Sequence, residues 1–99
     1  RFPVDVYQDT NSVYVRAELP GFKREAISVE VVDGFLTLEA TREGEKEKSQ
    51  PETKFNRSVS LPEDVQTEGV TAAYVDGVLT VTLPKKEEAK PRKISVAVN

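Results

Sequence analysis

Apolar and polar residues alternate with a period of two through most of this chain, and that rhythm rules out a helical core. In Val13-Tyr14-Val15-Arg16-Ala17-Glu18-Leu19 the odd positions are apolar, and Ile27-Ser28-Val29-Glu30-Val31 repeats the pattern. Leu36 to Ala40 and Leu79 to Leu83 alternate in the same way. Segments of this kind bury one face of an antiparallel sheet and wet the other. Val4 and Val6 predict a short strand ahead of them, Phe55, Val59 and Leu61 another, and Val70 to Val75 a further one.

Turn chemistry separates the runs. Asp33-Gly34 and Asp76-Gly77 are dipeptides favoured in two-residue hairpins, where both central residues need positive φ. Pro20-Gly21 and Leu61-Pro62-Glu63-Asp64 punctuate the rest, and only Lys23-Arg24-Glu25-Ala26 suits a helical turn. Val32-Asp33-Gly34-Phe35-Leu36-Thr37-Leu38 is echoed by Val75-Asp76-Gly77-Val78-Leu79-Thr80-Val81. Two such units obeying one turn chemistry are hairpins rather than a repeat array. The expected fold is all-β, an immunoglobulin-like antiparallel β-sandwich.

Composition narrows the function. The 99 residues make one domain with a single core. Cysteine and histidine are both absent, which removes disulfides, thiol nucleophiles, the usual zinc ligands and the usual general base near neutral pH. The expectation is therefore no enzyme, no catalytic residue, no metal and no cofactor. A net charge of −3 argues against a nucleic-acid partner, and no apolar run is long enough for a membrane partner. Lack of cysteine fits a reducing compartment, so the expected location is cytoplasmic. Arg1-Phe2-Pro3 opens the chain without Met, which predicts a fragment missing an N-terminal region.

Chemistry-bearing motifs reduce to turns. Aspartic-protease loops carry a hydroxyl residue between Asp and Gly, and neither Asp-Gly pair has one. Neither Asp is followed by the alternate carboxylates of a calcium loop. Ser58 and Ser60 have no histidine partner, and no Gly-rich phosphate loop exists.

Arg57 shares a strand face with Phe55, Val59 and Leu61, so its guanidinium is either a rim residue reaching water or half of an ion pair across a subunit interface. Thr41 to Lys54 is charge-dense and too poor in apolar residues to order itself alone. Residues 85–93 form a polar linker expected to be mobile, after which Ile94-Ser95-Val96-Ala97-Val98 alternates again. The division is thus a domain over 1–84 and a C-terminal extension over 85–99. Its apolar end is either the sandwich's own last strand or a strand that adds to another chain's sheet edge.

These residues resemble a known family along nearly the whole chain. Ala72-Ala73-Tyr74-Val75-Asp76-Gly77-Val78-Leu79 is similar to the Ala-x-x-x-Asn-Gly-Val-Leu signature of the α-crystallin domain, with Asp for the usual Asn. Val4-Asp5-Val6-Tyr7 and Glu18-Leu19-Pro20-Gly21-Phe22 look like that family's opening strands. Phe55-Asn56-Arg57-Ser58-Val59-Ser60-Leu61-Pro62 matches its Phe-x-Arg-x-x-x-Leu-Pro segment, and Ile94-Ser95-Val96 its Ile-x-Ile/Val tail. The resemblance implies a small heat-shock protein: a homodimer, assembled further into an oligomer, that holds unfolding client proteins without ATP. It implies that Ile94 and Val96 insert into a tail- or client-binding groove lined by Ile27, Val29, Thr71 and Ala73. It also places Arg57 at the dimer interface.

One departure stands out. Bacterial and plant members have a longer loop with an aromatic, strand-forming stretch exchanged between partners, whereas 41–54 is short and lacks one. Strand exchange and edge pairing near Arg57 both stay open as dimer geometries. A co-chaperone of the related CS-domain type is the rival function, opposed by the tail and the Gly-Val-Leu match and excluded by stable self-assembly. An extracellular adhesive sandwich is a third, and it leaves the tail unexplained.

Overall fold

The computed structural model describes residues 2–44, 49, 51–91 and 93–97. Within them the chain forms β1 (Val4–Gln8), β2 (Ser12–Glu18), β3 (Ile27–Val32), β4 (Phe35–Arg42), β5 (Thr53–Ser60), β6 (Thr71–Val75) and β7 (Val78–Pro84). A four-stranded sheet has the order β1-β2-β7-β6, and a three-stranded sheet the order β3-β4-β5. Every pairing is antiparallel. The all-β sandwich expected from the alternation is what the chain adopts.

The period-two pattern explains the core. Val13, Val15 and Ala17 of β2 and Leu79, Val81 and Leu83 of β7 point inward from one sheet. Leu36, Leu38 and Ala40 of β4 meet them from the other, and Leu19, Phe22, Phe55 and Val65 complete the cluster. No polar or charged side chain among the described residues is buried. Each fully buried leucine stabilises the fold by about 1.5–3 kcal/mol relative to exposure. Phe2 packs edge-on against Phe22 and Phe55, with centroids 5.5 and 5.8 Å away.

Both Asp-Gly hairpins have the backbone their sequences demand. Asp33 and Gly34 lie at φ 50° and 81°, Asp76 and Gly77 at 52° and 78°. Aspartate visits the left-handed region at lower cost than bulkier residues. Arg24–Ala26 forms the short 3-10 turn that leads into β3. Asp9 organises the β1–β2 turn: one carboxylate oxygen accepts the Asn11 and Ser12 amides at 2.9 and 2.8 Å, and the other accepts the Tyr14 hydroxyl at 2.8 Å.

Two segments are more structured than the sequence suggests. The charge-dense 41–54 stretch donates its ends to the sheet, with Thr41 paired to Lys54 and Arg42 to Thr53. Arg42 is held because its guanidinium donates to the Pro20 carbonyl at 2.8 Å and lies over the Phe2 and Phe22 rings. Its middle, 45–48 and 50, lies outside the described residues. The start of the polar linker is likewise attached to the sandwich. The Lys85 amide donates to Asn11 at 2.9 Å and the Lys86 amide to Asp64 at 2.7 Å. Glu87–Ala89 then makes a 3-10 turn, with Lys90 paired to Glu87 at 2.8 Å. Backbone groups make the attachment, so side-chain composition gave no sign of it.

Candidate binding cleft and tail

β3 and β6 border the two sheets, each hydrogen-bonded to a single neighbouring strand. A border strand keeps half of its backbone donors and acceptors free for an incoming chain. Between these two borders lies an open cleft of about 440 Å³. Ile27 and Val29 line it from β3, Ala72, Ala73, Tyr74 and Val75 from β6, and Leu79 and Arg24 complete the wall.

Register explains the lining. Ala72 pairs with Val81 and Tyr74 with Leu79, so both β6 residues face inward with buried partners. Thr71 pairs with Thr82 and Ala73 with Thr80, on the outer face. Of the four groove residues expected, Ile27, Val29 and Ala73 line the cleft and Thr71 does not. Ala72 and Tyr74 take the inward role instead. The signal was present in the sequence: a two-residue turn at Asp76-Gly77 sets Tyr74 opposite Leu79, whose apolar run marks the inner face.

Two devices hold the cleft's Tyr74 end. The Tyr74 hydroxyl lies 2.6 Å from the Leu19 carbonyl oxygen and 2.8 Å from that of Phe22. The Leu19 amide donates to the Gly77 carbonyl at 2.7 Å. Gly77 also passes so near Pro20 that a Cβ would stand 3.2 Å from the Pro20 Cα. The sequence signature around Ala72–Leu79 therefore couples the end of β6 to the segment that runs into the 3-10 turn. The small inward-facing Ala72 leaves space between the borders.

The tail residues stand apart. Ile94 and Val96 are 83% and 85% exposed, and residues 93–97 belong to neither sheet. The alternative of a last strand in this molecule's own sandwich is thus not what the chain forms.

Arg57 sits on β5, a border strand of the three-stranded sheet. It pairs with Leu38 and shares the inner face with Phe55, yet it is exposed at the rim. Its guanidinium carbon lies 5.8 Å from the Phe55 ring centroid. The structure places it away from the cleft: β3 borders the cleft, and β5 is the opposite border of that sheet.

No group of three or more His, Cys, Asp or Glu side chains among the described residues could hold a metal ion. No helix among the described residues is long and apolar enough to cross a membrane. Among the described residues, hydrogen bonds lower the pKa of Asp9 and Glu87 and raise that of Tyr14, all outside the cleft.

Two antiparallel sheets with an apolar cleft between free strand borders define an all-β sandwich of the α-crystallin kind. The chain matches the Hsp20/alpha crystallin family over residues 5–99 and belongs to it. It is 35% identical over 100 residues to the 18 kDa antigen of Mycobacterium leprae, covering 95% of this chain and 68% of that protein. It is 32% identical over 101 residues to small heat shock protein C4 of Rickettsia felis, covering 94% of this chain and 62% of that one. The chain thus spans roughly two-thirds of the length of these relatives. Among solved structures, heat shock protein 16.0 from Schizosaccharomyces pombe superposes with a TM-score of 0.79 at 28% identity, covering 99% of this chain and 97% of that one. Membership of a small heat-shock family supports a chaperone role.

Proposed function

We propose that this chain is a holdase: it binds apolar, extended segments of unfolding client proteins without ATP and keeps them from aggregating. The observation that carries this reading is the pairing of an open apolar cleft between two free strand borders with an exposed alternating tail. An added strand gains backbone hydrogen bonds from the borders and places alternate side chains in the cleft. Ile94 and Val96 have the right spacing, because residues two apart along a strand share a face.

In this reading the 85–99 extension of one copy covers the cleft of another, and clients compete for the same place. The working form is a homodimer assembled into a larger oligomer, with Arg57 at the dimer interface. Work in the cytoplasm, with no cofactor and no chemical step, completes the proposal. A heated client protein tests it: at stoichiometric excess and without nucleotide, the chain is expected to suppress light scattering by the client. A scattering curve unchanged by the chain would reject the holdase.

A further inference from the structure

The cleft has one charged side chain on its lining, and it stands at one end. Arg24 lies on the 3-10 turn that leads into β3. The Tyr74 end of β6 is beside it, because the Tyr74 hydroxyl reaches the Leu19 and Phe22 carbonyls just upstream of that turn. β3 and β6 therefore run in opposite directions along the cleft. Glu25 and Asp76 are near this end in sequence, but neither is part of the lining. At the other end β3 runs out toward Asp33 and Glu68 precedes β6, with no Lys or Arg in 27–34 or 65–72.

The tail is just as lopsided. Arg92 and Lys93 immediately precede Ile94, whereas Ala97 and Val98 after Val96 carry no charge. One direction of docking brings Lys93 against Arg24, and the other sends it toward the end flanked by Asp33 and Glu68.

We propose that Arg24 sets the direction in which the Ile94–Val96 segment of a second copy docks, with Lys93 at the far end and Ala97 toward Arg24. This rests on the tail-docking reading above. The docked segment then runs antiparallel to β3 and parallel to β6, so ladder type favours one border and disfavours the other, and the choice falls to charge. In the reverse direction Arg24 faces Lys93 and Arg92 within a screening length of about 8 Å at physiological salt. Charges this exposed bias the choice by roughly two- to fivefold.

The test uses a peptide of residues 90–98 with a nitroxide at its N-terminus. It is added to isotope-labelled chain in which Ile94 and Val96 are alanine, so that no tail of its own competes. The Val31 and Val32 amide signals are expected to broaden more than those of Arg24 to Ala26. In a chain that also carries Arg24→Glu the contrast is expected to fall by about two- to fivefold or to reverse. Equal broadening at both ends, stronger broadening at Arg24–Ala26, or an Arg24→Glu pattern identical to the parent would overturn the assignment of direction while leaving docking intact. Absence of saturable broadening anywhere along β3 and β6 would instead remove docking itself, and direction with it.

Discussion

The hydroxyl of Tyr74 stands 2.6 Å from the carbonyl oxygen of Leu19, joining the border strand β6 to the segment that leads toward β3. One side chain thereby holds the two borders of the cleft at a fixed separation at that end. Phe at this position keeps the ring and loses the tie. Tyr74→Phe is expected to cost about 1 kcal/mol of stability, a fall of roughly 4–8 °C in melting temperature for a domain of this size. Affinity for a tail peptide should fall with it, read by fluorescence anisotropy. Unchanged melting and unchanged affinity would show that the tie contributes nothing.

Two glycines of nearly equal φ but unequal surroundings give a sharper comparison. Gly34 at φ 81° has open space where a Cβ would go, while at Gly77 the Cβ would press on the Pro20 backbone at 3.2 Å. Gly34→Ala is expected to cost about 1–2 kcal/mol from backbone conformation alone. Gly77→Ala should cost clearly more, because the neighbour it meets is main chain. Denaturant unfolding of both variants gives the order, and an equal cost would count against the close approach.

The inward and outward faces of β6 separate by substitution. Ala72→Leu fills the cleft and is expected to weaken tail-peptide binding by about tenfold, or about 1.4 kcal/mol. Thr71→Val, on the outer face, should change it less than about twofold, within the roughly ±0.5 kcal/mol usual for surface changes. Peptide titration of the two variants decides, and the opposite order would restore Thr71 to the groove.

Removing the tail's apolar residues should leave the sandwich untouched. Ile94→Ala with Val96→Ala is expected to leave the unfolding midpoint within error, since neither side chain is packed. The same change should reduce the mass of the assembly measured by light scattering. An unchanged mass would exclude the tail as the link between copies.

Acid stability has a local origin at the β1–β2 turn. The Tyr14 hydroxyl, and then the Asn11 and Ser12 amides, hold the Asp9 carboxyl below its usual acidity range. A carboxyl lowered in the folded state stabilises above the unfolded value, roughly 3.9, and that contribution fades as pH falls through the folded value. Asp9→Ala should therefore be less stable at pH 7 and lose stability less steeply between about pH 5 and pH 2. Parallel acid-unfolding curves for variant and parent would contradict this.

Strand positions and hairpins were legible because alternation and Asp-Gly turns are local signals, and both hairpins have the positive φ they call for. The parity of β6 was harder to see. Thr71-Ala72-Ala73-Tyr74 has little contrast between its faces, so its orientation comes from β7 across the turn. Arg24 carries no sequence mark of its place, since only the approach of β6 to the 3-10 turn makes it part of a wall. The tie of Tyr74 to Leu19 spans distant sequence and has no periodic trace. Attachment of Lys85 and Lys86 was invisible because main-chain amides meeting main-chain carbonyls of Asn11 and Asp64 leave no mark in side-chain chemistry.

That attachment has a consequence for how the molecule responds to its own abundance. Asn11 and Asp64 hold the extension's first residues, so the tail sets out beside the β1–β2 turn, whereas the cleft follows β6 at the opposite border of the same sheet. If the tail occupies a neighbour's cleft, as proposed, occupancy obeys mass action rather than a fixed tether. Under the proposed reading, dilution alone, at constant temperature and with no change in sequence, vacates binding places.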